Sequence, residues 1–266
     1  MISLEETFAA ARGEGRGVLV GYLPSGGAPD EAFTAMVAAG ADVVEVGLPY
    51  SDPVLDGPVI QRAVERALAA GTTPAHVLRT VEAVAGTGVP VLVMTYWNPV
   101  EQYRVERFAA DLAAAGGAGM ITPDLTPEEA GPWLAAADKH GLDPVFLVAP
   151  SSTDTRLARI AALCRGFVYA ASVMGVTGAR ERTSAAAPVL VRRVRAVTDL
   201  PVGVGLGVSS GDQAAEVAGY ADAVIVGSAF VRAVLDAPGG QAGAPAAVGA
   251  LAAELAAGVR RPHRAA

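Results

Sequence analysis

Eight short apolar runs, each rich in β-branched residues and each followed by a helix-forming stretch, constrain this chain more than any other feature. They occupy 18–23, 43–46, 89–95, 118–122, 145–148, 167–171, 202–205 and 223–226. Their hydrophobicity is continuous, not alternating, which suits parallel strands buried on both faces. Ala-, Leu-, Glu- and Arg-rich segments fill 30–39, 59–70, 74–85, 105–115, 128–140, 157–164, 187–197 and 213–218, and another lies at 248–257. Strands alternating with helices in this number predict an α/β fold, a (β/α)8 TIM-type barrel formed by residues 1–266 as a single domain. Two helical segments, 59–70 and 74–85, fall between the second and third strands, so the second loop carries an inserted helix. Gly40, Gly71, Gly86, Gly116, Gly141, Gly166 and Gly219 each follow a helical run where a left-handed residue is wanted. Residues 238–245 read as a flexible loop and 258–266 as a frayed tail.

Composition narrows the class of protein. With 52% hydrophobic and 18% charged residues the chain can build a large core. A formal net charge of −7 gives no basic field for nucleic acid, so a phosphate it binds is expected to be small and held locally. The N-terminus lacks a basic region followed by an apolar one, and no apolar run reaches the roughly 20 residues that span a bilayer. The single cysteine, Cys164, has no second thiol to pair with and reads as a buried helix residue. A soluble, reduced, cytoplasmic protein without membrane or nucleic-acid partners is expected.

In such a barrel the active face lies at the strand C-termini and the loops that follow. The seventh strand runs into Gly205-Leu206-Gly207 and the eighth into Gly227-Ser228 at the start of a short helix. Glycines let the backbone approach a ligand, helix-start amides donate to an anion, and Ser228 adds a hydroxyl, so these loops predict a phosphate site. Glu45 interrupts an otherwise apolar strand. Burial would raise its pKa and suit it to acid–base work, whereas an arginine partner would make it a structural ion pair. Asp56, in the following loop, reads equally well as an acceptor for a substrate N–H or as an ordinary Asp-Gly turn. A long loop from Ser172 to Thr183 suits a lid.

Other chemistries are disfavoured. The only lysine, Lys139, sits late in a helix, remote from any strand C-terminus, which argues against a Schiff base. His76, His140 and His263 lack metal-ligand spacing, so no metal is expected. Carboxylate acid–base chemistry on a small phosphate ester remains.

The segment from Glu45 through Ser51-Asp52-Pro53 and Asp56-Gly57-Pro58 to Gln61 resembles the tryptophan synthase alpha subunit family, as do Met174–Gly178, Gly205–Gly207 and Val226–Ser228. The resemblance runs essentially end to end. Val20–Tyr22, Met94–Pro99 and Ile121–Leu125 are similar too. It implies retro-aldol cleavage of indole-3-glycerol phosphate to indole and glyceraldehyde 3-phosphate. By that resemblance Glu45 protonates the indole carbon bearing the side chain, and Asp56 binds the ring N–H. Thr177 orders the lid and positions Asp56, and Tyr169 lies close to the reacting side chain. Gly178, Gly207, Gly227 and Ser228 hold the phosphate, and Tyr22 and Met94 line the indole pocket. The protonated indole serves as the electron sink that a Schiff base supplies elsewhere.

The family carries no cofactor in this subunit. It implies a partner, a beta subunit that uses pyridoxal phosphate to join indole to serine, in an alpha2-beta2 heterotetramer. The surface formed by 48–58, Asn98-Pro99 and Asp124 is expected to meet that partner. Leu206 departs from the family, where an aromatic is frequent between the two glycines, and residues 25–29 hold one extra small residue. A stand-alone lyase releasing free indole and a catalytically silent regulatory subunit are the alternative readings.

Overall fold

The computed structural model describes residues 2–171, 186–205 and 207–261. Eight parallel strands close into a barrel in chain order. They are β1 (Val18–Pro24), β2 (Val43–Gly47), β3 (Val91–Met94), β4 (Gly119–Thr122), β5 (Asp143–Val148), β6 (Val168–Ala171), β7 (Val202–Gly205) and β8 (Ala223–Val226). The last strand pairs with the first, Val18 opposite Ala223 and Gly21 opposite Val226. Every residue of β1, β2, β4 and β8 is buried, as strands with a packed interior on one side and helices on the other must be.

A helix absent from the sequence expectations closes one end. In α1 (Leu4–Gly13), Ser3 accepts from the Glu6 N–H while the Glu6 carboxylate accepts from the Ser3 N–H, a capping box that fixes the first turn. Leu4 and Phe8 then pack into an inner cluster with Val18, Val43, Phe167 and Ala223, all at the starts of strands. Phe8 meets Phe167 with ring centroids 5.6 Å apart. With this end plugged, the C-terminal mouth is where a ligand can enter.

The helices follow largely as expected. α2 (Asp30–Ala38) succeeds β1, and both α3 (Pro58–Ala69) and α4 (Pro74–Ala85) lie between β2 and β3, so the inserted helix is present. The expected segment 105–115 is α6 (Val105–Ala114), and a further helix, α5 (Trp97–Tyr103), precedes it. Arg104 separates them at φ 79°, a left-handed backbone that breaks the helical path. The remaining helices are α7 (Gly131–His140), α8 (Asp154–Ala161), α9 (Ala186–Arg195), α10 (Gly211–Ala218), α11 (Ser228–Leu235) and α12 (Ala244–Val259).

Four expectations are corrected. Cys164 is buried but lies beyond the end of α8, where its sulfur accepts from the Phe146 N–H at 3.4 Å. Gly86 and Gly219 have φ near −60°, so neither is a left-handed stop, while the other five expected glycines do have positive φ. Residues 238–245 include a short 3-10 turn, Gly240–Ala242, and the start of α12. The tail is ordered further than expected, because α12 runs to Val259, which is fully buried. Arg260 then donates to the Gly40 carbonyl at 3.0 Å. Among the described residues no helix is long and apolar enough to cross a membrane.

Candidate active site

Side chains alternate along a strand, so the residues continuing the inner face past Val18, Val20 and Val43 are Tyr22 on β1 and Glu45 on β2. The two are direct neighbours in the sheet register, and Leu92 of β3 sits on the other side of Glu45. Tyr169 of β6 and Met94 of β3 pack partly buried against the same inner cluster. A strand glycine makes room for Tyr169: a β-carbon at Gly205 would lie 2.5 Å from its hydroxyl. Gly227, just past β8, lies against the Tyr22 ring.

Glu45 is 1% exposed, and its Oε1 has no hydrogen-bond partner among the described residues. No arginine or lysine there forms an ion pair with it, which removes the support for a structural salt bridge. Loss of water around the carboxylate pushes its pKa up to about 8, so it is a carboxylic acid at neutral pH. Burial also raises the phenols of Tyr22 and Tyr169. The negative charges of Asp56 and Glu45 add to the rise at Tyr22, and that of Glu45 adds to it at Tyr169, so these groups share one electrostatic environment.

Asp56 is no free turn. Its Oδ1 accepts from the Tyr96 hydroxyl at 3.0 Å, and its backbone carbonyl accepts from Gln61 Nε2 at 2.9 Å. The Leu55 N–H donates to the same Tyr96 hydroxyl at 3.0 Å. Partial burial raises the Asp56 pKa and the Tyr96 hydrogen bond opposes that rise. Tyr96, just beyond the end of β3, was not among the expected site residues. Its position at a strand C-terminus was the available signal.

The surface expected to meet a partner is one connected patch. Tyr96 and Tyr50 pack with ring centroids 5.4 Å apart, Asn98 donates to the Tyr50 hydroxyl at 3.4 Å, and both Asp124 oxygens accept from the Trp97 N–H at the start of α5. Val54 stands out of this patch 72% exposed, in a loop of otherwise modest apolar exposure.

Past the end of β7, Gly207 has φ 68°, a left-handed conformation that a side chain would strain. Gly227 precedes α11, whose first turn has no side-chain cap. Its leading amides are therefore left for a ligand. Ser228 is 5% exposed on this first turn. Thr177 and Gly178, with the rest of the expected lid, lie outside the described residues.

The residues disfavoured for catalysis have other employment. The Thr73 N–H donates to His76 Nδ1 at 3.1 Å at the start of α4, and Lys139 and His140 both meet Glu106 on the barrel flank. Among the described residues no group of three histidine, cysteine or acidic side chains could hold a metal.

A closed parallel barrel that buries a carboxylic acid on its inner face, two strands from an uncapped helix start, defines a (β/α)8 barrel with a candidate acid–base site at the strand C-termini. A family model for the tryptophan synthase alpha chain matches residues 8–260. Tryptophan synthase alpha chains of Salinispora arenicola and Acidothermus cellulolyticus are 67% and 63% identical, over 96% and 98% of this chain and 97% and 98% of theirs. A solved chain of Mycobacterium tuberculosis tryptophan synthase superposes with a TM-score of 0.91 at 56% identity, covering 98% of this chain and 100% of that one. The chain belongs to the tryptophan synthase alpha chain family, and it is a lyase.

Proposed function

We propose that this chain cleaves indole-3-glycerol phosphate by a retro-aldol reaction to indole and glyceraldehyde 3-phosphate. The observation that carries this reading is Glu45, an acid buried without an ion-pair partner among the described residues, on the inner face of the barrel mouth. In this reading Glu45 gives its proton to the indole carbon that bears the side chain. Positive charge then develops on the ring nitrogen, where Asp56 accepts the N–H and stabilises it. The carbon–carbon bond breaks as its electrons return to the ring and the neighbouring hydroxyl loses its proton to become the aldehyde. Glu45, by then a carboxylate, takes that proton and is restored.

The other contacts follow the family pattern. Tyr22 and Met94 line the indole pocket, and Tyr169 lies by the reacting side chain. The amides of Gly178, Gly207 and Gly227 hold the phosphate with Ser228, and Thr177 orders the lid. The first turn of α11, which has no side-chain cap, and Ser228 on that turn support the phosphate assignment. No cofactor is required in this chain, because the protonated indole is the electron sink. One barrel domain is enough for the chemistry, supported by strands from Val18 to Val226 closing into one sheet.

The proposed partner is a beta subunit that uses pyridoxal phosphate to join indole to serine, in an alpha2-beta2 assembly working in the cytoplasm. Support comes from the patch of Tyr50, Val54, Asn98 and Asp124 beside Asp56. Turnover of indole-3-glycerol phosphate by the wild type and by Glu45→Gln, each with and without a beta subunit, is the test. Cleavage lost in the variant supports the reading. Near wild-type turnover by the variant removes the role of Glu45. Full unassisted turnover favours a stand-alone lyase, and no cleavage in any arm favours a silent subunit.

A further inference from the structure

Between the patch of Tyr50, Asn98 and Asp124 and the mouth of the barrel stands one side chain, Tyr96. Its hydroxyl is a two-way junction, donating to Asp56 Oδ1 at 3.0 Å and accepting from the Leu55 N–H at 3.0 Å. That pair of bonds ties the backbone and the side chain of two consecutive loop residues to a single atom. The tyrosine itself is firmly held. It is 6% exposed, its ring packs on Tyr50, and the Trp97 N–H next to it donates to both oxygens of Asp124 at 2.9 and 3.1 Å. Asp56, by contrast, sits in a stretch from 48 to 57 with no helix or strand to define its direction.

We propose that Tyr96 is a positioning residue for Asp56, its hydroxyl aiming the carboxylate at the ring N–H of the substrate. This rests on the indole-3-glycerol phosphate reading. A carboxylate with one oxygen engaged by a fixed donor has its second oxygen directed, and it needs no reorientation as charge develops on the ring. Asp124 contributes through the same element, since it holds the first amide of α5 next to Tyr96.

The test is Tyr96→Phe in the full chain. The variant keeps the ring and removes the junction, and kcat is expected to fall roughly 10-fold, as loss of a hydrogen bond to a charged group costs, with a smaller change in KM. Carbon NMR of labelled aspartate, with Asp56→Asn to assign the resonance, reports the carboxyl directly. The Asp56 titration moves to higher pH in Tyr96→Phe, because the bond that favours the ionised form is gone. In the reciprocal experiment, Asp56→Asn lets the Tyr96 phenol titrate at lower pH, since Asp56 charge no longer opposes its ionisation. The reciprocal measurement decides the matter if Tyr96→Phe does not fold. Unmoved titrations overturn the proposal whatever the rates. A wild type that leaves indole-3-glycerol phosphate intact instead refutes the proposed reaction, leaving the two titrations to be read by themselves.

Discussion

Tyr22 leaves no room for a side chain at Gly47: a β-carbon built there would meet the tyrosine hydroxyl at 2.5 Å and two ring carbons at 2.7 and 2.8 Å. Tyr22 faces Glu45 in the register of β1 and β2, and Gly47 lies two residues beyond Glu45 toward the mouth. The glycine is therefore part of the pocket, because its missing side chain is the space the ring occupies.

Gly47→Ala should displace the Tyr22 ring and raise KM for indole-3-glycerol phosphate several-fold. Tyr22→Ala should raise KM as well. In the Tyr22→Ala background the glycine substitution should add little, since the obstructing ring is gone. KM values for the four proteins of this cycle check the point, and additive effects would contradict it.

Catalysis should follow the protonation of Glu45. The folded-state pKa is raised to about 8, so the acid form is populated below that value and lost above it. Turnover that depends on proton donation should fall as pH rises through about 8. A rate that holds constant well above that pH would exclude Glu45 as the donor.

The same shift has a consequence for stability. Folding raises the Glu45 pKa, so between about 4.5 and 8 the folded chain holds a proton that the unfolded chain has released. The contribution is fully present below the unfolded value and is lost as pH rises through the folded one, at up to roughly 1.4 kcal/mol per pH unit. Glu45→Gln should flatten the decline. Urea unfolding of both proteins across this pH range measures it, and parallel curves would refute the assignment.

Ser228→Ala should raise KM for the phosphate ester about 10-fold and leave kcat nearly unchanged, because the hydroxyl stands on the first turn of α11, where the proposal places the phosphate. Inorganic phosphate should compete more weakly in the variant by a similar factor. A drop in kcat at constant KM would show that the hydroxyl does something other than bind the phosphate.

At the opposite end of the barrel, Asp42 accepts from the Leu19 N–H at 2.9 Å and from Arg16 at 3.0 Å, with Arg260 at 3.6 Å. It joins the start of the sheet to the end of α12. Asp42→Ala leaves a buried strand amide without its partner, which should lower stability by about 1–3 kcal/mol while sparing the pocket. Chemical denaturation and steady-state rates together test this.

Much of the fold was legible in the chain because barrel strands are buried on both faces. An uninterrupted apolar run such as Val202–Gly205 or Ala223–Val226 has few other places to go, and the observed bounds of both match those expected. Glu45 was visible for the same reason, as a charge in a run that tolerates none. The turns that end β7 and β8 were visible as glycines at two strand ends. Local sequence was silent on α5, because Trp97-Asn98-Pro99 carries no long apolar repeat and the helix is held by Asp124, 27 residues away.

The sequence by itself determined the eight-strand barrel, the inserted helix after β2 and Glu45 as a charge within an apolar strand, since these depend on burial patterns and turn residues that neighbours along the chain already specify. Only the tertiary structure decided that α1 plugs the far end, that Glu45 has no cationic partner among the described residues, and that Asp56 is held by Tyr96 instead of closing an ordinary turn. Each of these is a contact, or the lack of one, between groups far apart in sequence. The Asp56 and Tyr96 pair, 40 positions apart, exists only because closing the sheet brings the end of β3 beside the loop that follows β2.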